Sequence, residues 1–223
     1  MSDEIDDALS RRAETERVSL PVSLAALFDG AVARHPDRIF WRAVDGDGTE
    51  LSYRAFAGLV ERCTAAFHRF GIGPGMHVAL ALPNVPAIGA AWIALHKLGA
   101  AALGVNVNLV PSEVEYTLRL ADAEAIVVDI GHVGLLDGAE SGSFPIPRER
   151  VIVHGGAVAG LTGWDDLLAA AGGAPANAEV DPEGKASILY TSGTTGRPKP
   201  ALLPHSWHTV SGWVRSRQGP APA

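Results

Sequence analysis

Four hydroxyls, two glycines and a lysine crowd into residues 191–199 of this chain. Thr191, Ser192, Thr194 and Thr195 supply the hydroxyls, Gly193 and Gly196 a permissive backbone, and Lys199 a positive charge after Arg197 and Pro198. Glycine accepts φ > 0 and lets the backbone approach a ligand closely. Successive backbone N–H groups in such a turn form a nest for an anion. Pro198 stiffens the exit. These residue types in this order suit a polyphosphate. The bland alternative is a Ser/Thr/Gly-rich hairpin turn. The stretch is not a Walker A loop, which places Lys directly after its last Gly and then enters a helix. Here Arg-Pro separates Gly196 from Lys199, and strand-like apolar residues follow. A second glycine cluster, Gly71, Gly73 and Gly75, lies between a helix and a strand. That is the reverse of the order a dinucleotide fingerprint needs, so it reads as a tight turn.

Other residues with chemical potential are weaker candidates. His205 and His208 form an H-x-x-H pair with no third ligand nearby in the sequence, so a surface or hydrogen-bonded role is expected rather than metal ligation. Cys63 lies on the apolar stripe of a helix and reads as core. Asp165 and Asp166 are adjacent, so on a helix they diverge by about 100°; they suit a helix N-terminus better than paired acid–base work. Trp92 has core spacing with Ile88 and Leu95, whereas Trp207 and Trp213 read as exposed.

The elements that must position the loop follow a regular rhythm. Leu24, Leu27, Phe28 and Ala31 have helical spacing, ending near His35-Pro36. Residues 38–44 and 49–53 have strand composition around the turn signal Asp45-Gly-Asp-Gly48. Phe56, Leu59, Val60, Cys63, Phe67 and Phe70 make one stripe of period 3.6, the clearest helix in the chain. Strands are expected at 76–82, 100–105, 123–129, 150–155, 185–191 and 200–205. Asn84 is the expected cap of a helix running to about Leu98, with Pro86 in its first turn. Ser112 and Glu115 have capping-box spacing. Residues 131–149 read as loop, 163–173 as a short helix and 173–184 as a surface linker. Alternating helix and strand between 52 and 129 implies an α/β fold with a mostly parallel sheet flanked by helices. Residues 1–18 read as a disordered polar tail, 19–210 as the folded part and 211–223 as a second disordered tail.

Composition narrows the function class. Of 223 residues 47% are apolar and 19% charged, with a net charge of −7. That balance supports a sizeable core and argues against a nucleic-acid binder, which normally shows a basic face. One cysteine excludes an internal disulfide. The acidic N-terminus is not a signal peptide. The longest apolar run, 85–105, is interrupted by His96 and Lys97 and reads as a buried helix entering a strand, not a membrane span. The cytoplasm is the expected location.

"YTSGTTGRPK", residues 190–199, resembles the phosphate-loop signature of the adenylate-forming superfamily, [YF]-T-S-G-[ST]-T-G-x-P-K-G. Every defined position through Lys199 is met. Residues 51–56 (LSYRAF), 94–106 (ALHKLGAAALGVN) and 108–129 resemble earlier elements of the same superfamily, in the same order. The resemblance therefore covers about residues 22–210. It implies the N-terminal part of an acyl-CoA synthetase-type enzyme: ATP activates a carboxylic acid as acyl-adenylate, and CoA then displaces AMP. It implies ATP, Mg²⁺ and CoA as cofactors, with no CoA site in this chain. It names Thr191, Ser192, Gly193, Thr194, Thr195, Gly196 and Lys199 as contacts of the ATP phosphates. "PKPALLPH" and "NVNL" resemble the fatty-acid-transport, very-long-chain branch, which admits peripheral membrane contact.

Two departures qualify the resemblance. Position 200 is Pro where the signature has Gly or Ala, which removes an N–H and fixes φ at the loop's exit. Only 18 residues follow His205, and they contain neither the Tyr-Gly-x-[ST]-Glu motif, the ribose-holding Asp nor the C-terminal-domain lysine that the resemblance would require. An N-terminal fragment or a truncated product is expected, inactive alone; the alternatives are a non-catalytic nucleotide binder and a remnant that does not fold.

Overall fold

A computed structural model describes residues 17–44, 48–137, 144–191 and 199–217, together with 5, 7, 9, 10, 12 and 13. The expected Asp45-Gly-Asp-Gly48 turn lies mostly outside the described residues. Helix α1 (Leu24–Arg34) leads to a hairpin of β1 (Ile39–Arg42) and β2 (Glu50–Ser52). Then come α2 (Tyr53–Arg69), β3 (His77–Ala81), α3 (Pro86–Lys97), β4 (Ala101–Gly104), α4 (Pro111–Leu120) and β5 (Ala125–Asp129). The chain continues through β6 (Val151–His154), β7 (Thr162–Gly163), α5 (Trp164–Ala169), β8 (Lys185–Thr191), β9 (Lys199–Pro204) and α6 (His205–Arg217).

Seven strands form the main sheet, in the order β7-β6-β5-β3-β4-β8-β9. All neighbours are parallel except β8 and β9. This is the mostly parallel α/β architecture that the helix–strand alternation implies. From β3 the chain steps one way to β4; from β4 it steps back across β3 to β5. Right-handed crossovers in opposite directions put their helices on opposite faces.

Each central strand is apolar at both parities for that reason. Val78, Leu80, Ala102, Ala125, Val127 and Ile152 face a core built with α1, α2, α3 and α5. Ala79, Ala81, Leu103, Ile126, Val128 and Val153 face a second core built with α4. The α2 stripe behaves as its spacing predicts: Phe56, Val60, Cys63 and Phe67 are fully buried, with Leu59 and Phe70 packed beside them. Burial pushes the Cys63 thiol up to about 12, which makes it an inert core residue.

Local signals were less reliable guides. The cap of α3 is Val85, with no side-chain hydrogen bond, and not Asn84; Pro86 still starts the helix. At the start of α4 the N-cap is Val110, which has no polar side chain to cap with; Glu113 Oε2 accepts the Val110 N–H at 3.3 Å, and Ser112 and Glu115 form no capping box. Glu115 pairs with Arg119 instead, at 2.8 Å. Part of the expected loop 131–149 is a 3-10 helix, Ile130–Leu136. Ile5, Leu9 and Ala13 lie in helical conformation within the stretch expected to be a disordered tail. Past the boundary expected at 210, α6 runs on to Arg217.

A buried ammonium ties the helical layer together. Lys97 is 5% exposed; its Nζ lies 2.9 Å from Asp29 of α1 and 3.1 Å from Glu61 of α2, and it donates to Asn177 at 3.2 Å. The Ala178 N–H donates to the Lys97 carbonyl at 2.7 Å, so residues 173–184 are fastened to the body. Gly99 (φ +69°) turns the chain from α3 into β4, where a Cβ would meet Ala178 at 3.2 Å and Pro74 at 3.4 Å. Phe56, buried against Phe28, Phe40 and Trp41, joins α2 to the hairpin. Phe56→Ala should cost about 3–5 kcal/mol, read as a lower urea midpoint at unchanged slope.

Candidate functional site

The candidate loop hangs between the last two strands of the sheet. Thr191 ends β8 and is paired in register with Lys199, which begins β9. Residues 192–198 must therefore leave and re-enter the sheet at one point. Because β8 runs parallel to β4, that point is the edge where β3, β4, β5 and β6 also end. Ligands of open parallel sheets bind outside this edge. Lys199 is exposed there. The Thr191 side chain and the candidates Ser192, Gly193, Thr194, Thr195 and Gly196 lie outside the described residues.

The foot of the loop is anchored from below. Tyr190 precedes Thr191, and its hydroxyl donates to the Thr117 carbonyl of α4 at 2.7 Å. Burial, then the nearby Tyr116, pushes the Tyr190 phenol up to about 12, so it stays protonated and remains a donor. Pro200 stands opposite Tyr190. Since β9 is the outermost strand, a proline is tolerated where its nitrogen faces the open edge. Pro200 and Pro204 share that parity, which leaves pairing with β8 to the intervening residues.

Two polar clusters escaped the sequence reading. At the same edge, Asp129 ends β5 and His154 ends β6. The His154 Nδ1–H donates to Asp129 Oδ2 at 2.9 Å, and the Gly131 N–H donates to Oδ1 at 2.9 Å. Burial alone would raise the Asp129 carboxyl; hydrogen bonds from His154 and Gly131 and the nearby imidazoles of His154 and His132 outweigh it and hold the carboxyl below its usual range. The second cluster joins His96 of α3, Ser187 of β8, and His205 and His208 of α6. His208 is hydrogen-bonded, as the H-x-x-H reading favoured, whereas His205 is neither at the surface nor hydrogen-bonded through Nδ1: it is buried against the His96 ring. Only the adjacency of β8 and α3, 91 positions apart in sequence, creates that cluster, and no local pattern signals it. Asp165 and Asp166 occupy the first turn of α5, and Trp92 packs against the core. Among the described residues no group of three or more His, Cys, Asp or Glu could hold a metal ion, and no helix is long and apolar enough to cross a membrane.

Residues 28–217, most of the chain, match the AMP-binding enzyme family. The chain belongs to that family. Similar proteins include the 3-hydroxybenzoate–CoA ligase of Aromatoleum sp. (strain CIB), 28% identical over 163 residues, covering 73% of this chain and 31% of that protein. The medium/long-chain-fatty-acid–CoA ligase FadD6 of Mycobacterium tuberculosis is 30% identical over 189 residues, covering 85% of this chain and 30% of that protein. Among solved structures, the anthranilate CoA ligase AuaEII in complex with anthranoyl-AMP shares the fold at a TM-score of 0.75 and 23% identity, over 86% of this chain and 36% of that one. The chain spans about a third of the length of these curated relatives.

Tyr190→Phe removes one hydrogen bond while keeping the ring. It should cost about 0.5–1.5 kcal/mol, measured as a lower midpoint in chemical unfolding.

Proposed function

We propose that this chain is the N-terminal part of an ATP-dependent acyl-CoA synthetase, with residues 19–210 forming part of its large domain. In the full reaction a carboxylate oxygen attacks the α-phosphorus of ATP, the bond to the bridging oxygen breaks and pyrophosphate leaves. CoA thiolate then displaces AMP from the acyl-adenylate. The observation that carries the reading is the placement of the signature loop. Its two feet, Thr191 and Lys199, are paired side by side at the edge where the parallel strands end, and open sheets of this kind take their ligands outside that edge.

In this reading Thr191, Ser192, Gly193, Thr194, Thr195 and Gly196 wrap the β- and γ-phosphates, and Lys199 neutralises part of their charge. Such stabilisation is electrostatic and depends on prior positioning. Bound Mg²⁺ would shield the same phosphates. The described residues offer no metal-binding cluster of their own, so in this reading the ion arrives on the nucleotide.

The fatty-acid branch rests on "PKPALLPH" and "NVNL", and the likeness to FadD6 supports it. Relatives that act on hydroxybenzoate match at similar identity, so a carboxylic acid is the firmer statement and a fatty acid the finer one. The acyl-pocket, adenine and ribose elements that the resemblance requires have no counterpart in these 223 residues. In this reading the chain alone is inactive, and the alternative is a non-catalytic nucleotide binder.

Titration calorimetry with ATP and Mg²⁺ should show binding that weakens about tenfold or more in Lys199→Ala, the loss of one charge-assisted contact. Pyrophosphate exchange with a panel of carboxylic acids should stay at background. Robust exchange by the chain alone would overturn its inactivity; absence of nucleotide binding by a cooperatively folded chain would overturn the phosphate role of the loop.

A further inference from the structure

The histidine cluster under α6 has no part in the phosphate reading, and its geometry defines a device. The His96 ring meets His205 at 5.2 Å and 80°, and His208 at 5.1 Å and 68°, centroid to centroid. Between them sits Ser187, fully buried, with Oγ 2.8 Å from His208 Nε2 and 3.3 Å from His96 Nε2. A hydroxyl has one proton. It donates to one imidazole and accepts from the other, so both hydrogen bonds form with the two rings neutral and of opposite tautomer. Protonating the ring that accepts from Ser187 turns that acceptor into a second donor, and a proton on any of the three rings places a charge in a buried cluster of imidazoles.

The surroundings offer little compensation. From α3, the neighbouring Lys97 ammonium is engaged with Asp29 of α1 and Glu61 of α2. From β8, Lys185 adds a cation, and on α6 itself the cluster adds only imidazoles. Asp181, in the segment before β8, is the carboxylate that acts on His205, and it favours that residue's charged form. His96 and His205 are each about 1% exposed; a backbone hydrogen bond at Ala186 favours the charged form of His96 but is outweighed by its burial, and the His205 Nδ1 lacks a partner. From α1, an apolar contact completes the seat: the Leu27 side chain lies close over Gly212.

We propose that His96, Ser187, His205 and His208 form an acid-sensitive latch that holds α6 on the sheet and releases it on mild acidification while the parallel strands stay folded. Burial, and then the neighbouring imidazoles, lowers His96 to about 3 and His208 to about 4; burial also lowers His205, partly offset by Asp181. Each value lies below the ordinary 6.5, so the released state binds more protons than the docked one. The docking is therefore at full strength above about pH 6.5 and weakens as pH falls below it. Since α6 starts directly after β9, the latch also steadies the strand that leaves the loop.

Amide hydrogen exchange of the whole chain without nucleotide tests the latch independently of the function proposed above. Between pH 7.5 and 5.5, after correction for intrinsic exchange, protection of residues 205–217 should fall on the order of tenfold per histidine released. Protection of β3 and β5 should hold. A His96→Gln/His208→Gln variant keeps side chains able to bond Ser187 but cannot titrate, and its α6 protection should lose most of that pH dependence. Constant α6 protection in the native chain, loss in step with β3 and β5, or an unchanged pH dependence in the folded variant would each overturn the proposal. If the variant does not fold, the comparison of α6 with the sheet in the native chain still decides.

Discussion

Strand β8 has to satisfy two ladders that run in opposite senses, and much of the molecule follows from this. On one side it continues the parallel sheet through Ala102↔Ser187 and Leu103↔Ile188. On the other it takes an antiparallel partner along its length, from Lys185↔Pro204 to Thr191↔Lys199. The parallel ladder delivers the end of β8 to the edge where the other crossovers leave. The antiparallel ladder brings the chain straight back. With Thr191 and Lys199 paired in register, the two ends of the segment between them are held together by the sheet itself.

Buried polar groups do the joining that apolar packing leaves unspecific. Lys97 links α1, α2, α3 and the segment before β8 through one ammonium. Asp129 and His154 fix the ends of neighbouring strands. Ser187 connects α3 to α6 across β8. Each pins segments far apart in sequence, and each would be costly if half-made. They add register and orientation to a core whose alanine-rich packing, from Ala79 to Ala102, could otherwise slide.

What the sequence revealed and what it hid divide along physical lines. Burial on both faces leaves continuous apolar runs, so β3, β4 and β5 were legible, and the single stripe of α2 was legible from Phe56 to Phe70. The position of the loop after β8 was also readable, because a strand, a glycine-rich turn and a second strand are all local patterns. Helix caps were not. Val85 and Val110 take the cap positions without a capping side chain of their own, because proline at the next residue already sets the helical φ. The segment after Asp129 looked like loop because its glycines break the 3.6 period, yet Asp129 caps a 3-10 turn there. The histidine cluster was illegible in principle. Its members come from three elements, and only the β4–β8 pairing brings them together.

Pro200 was first of interest as a departure from the signature. Its place on β9 gives it a second meaning. The outer edge of β9 is the open border of the sheet, and at such a border unpaired N–H groups invite strand addition by another chain. Of the outward-facing positions 200, 202 and 204, two are proline and carry no N–H at all. Only Leu202 has a donor to offer. Proline at two of these three positions removes N–H donors that intermolecular pairing would use, so the exposed Leu202 side chain lies on a strand edge with little backbone ladder to recruit a neighbour.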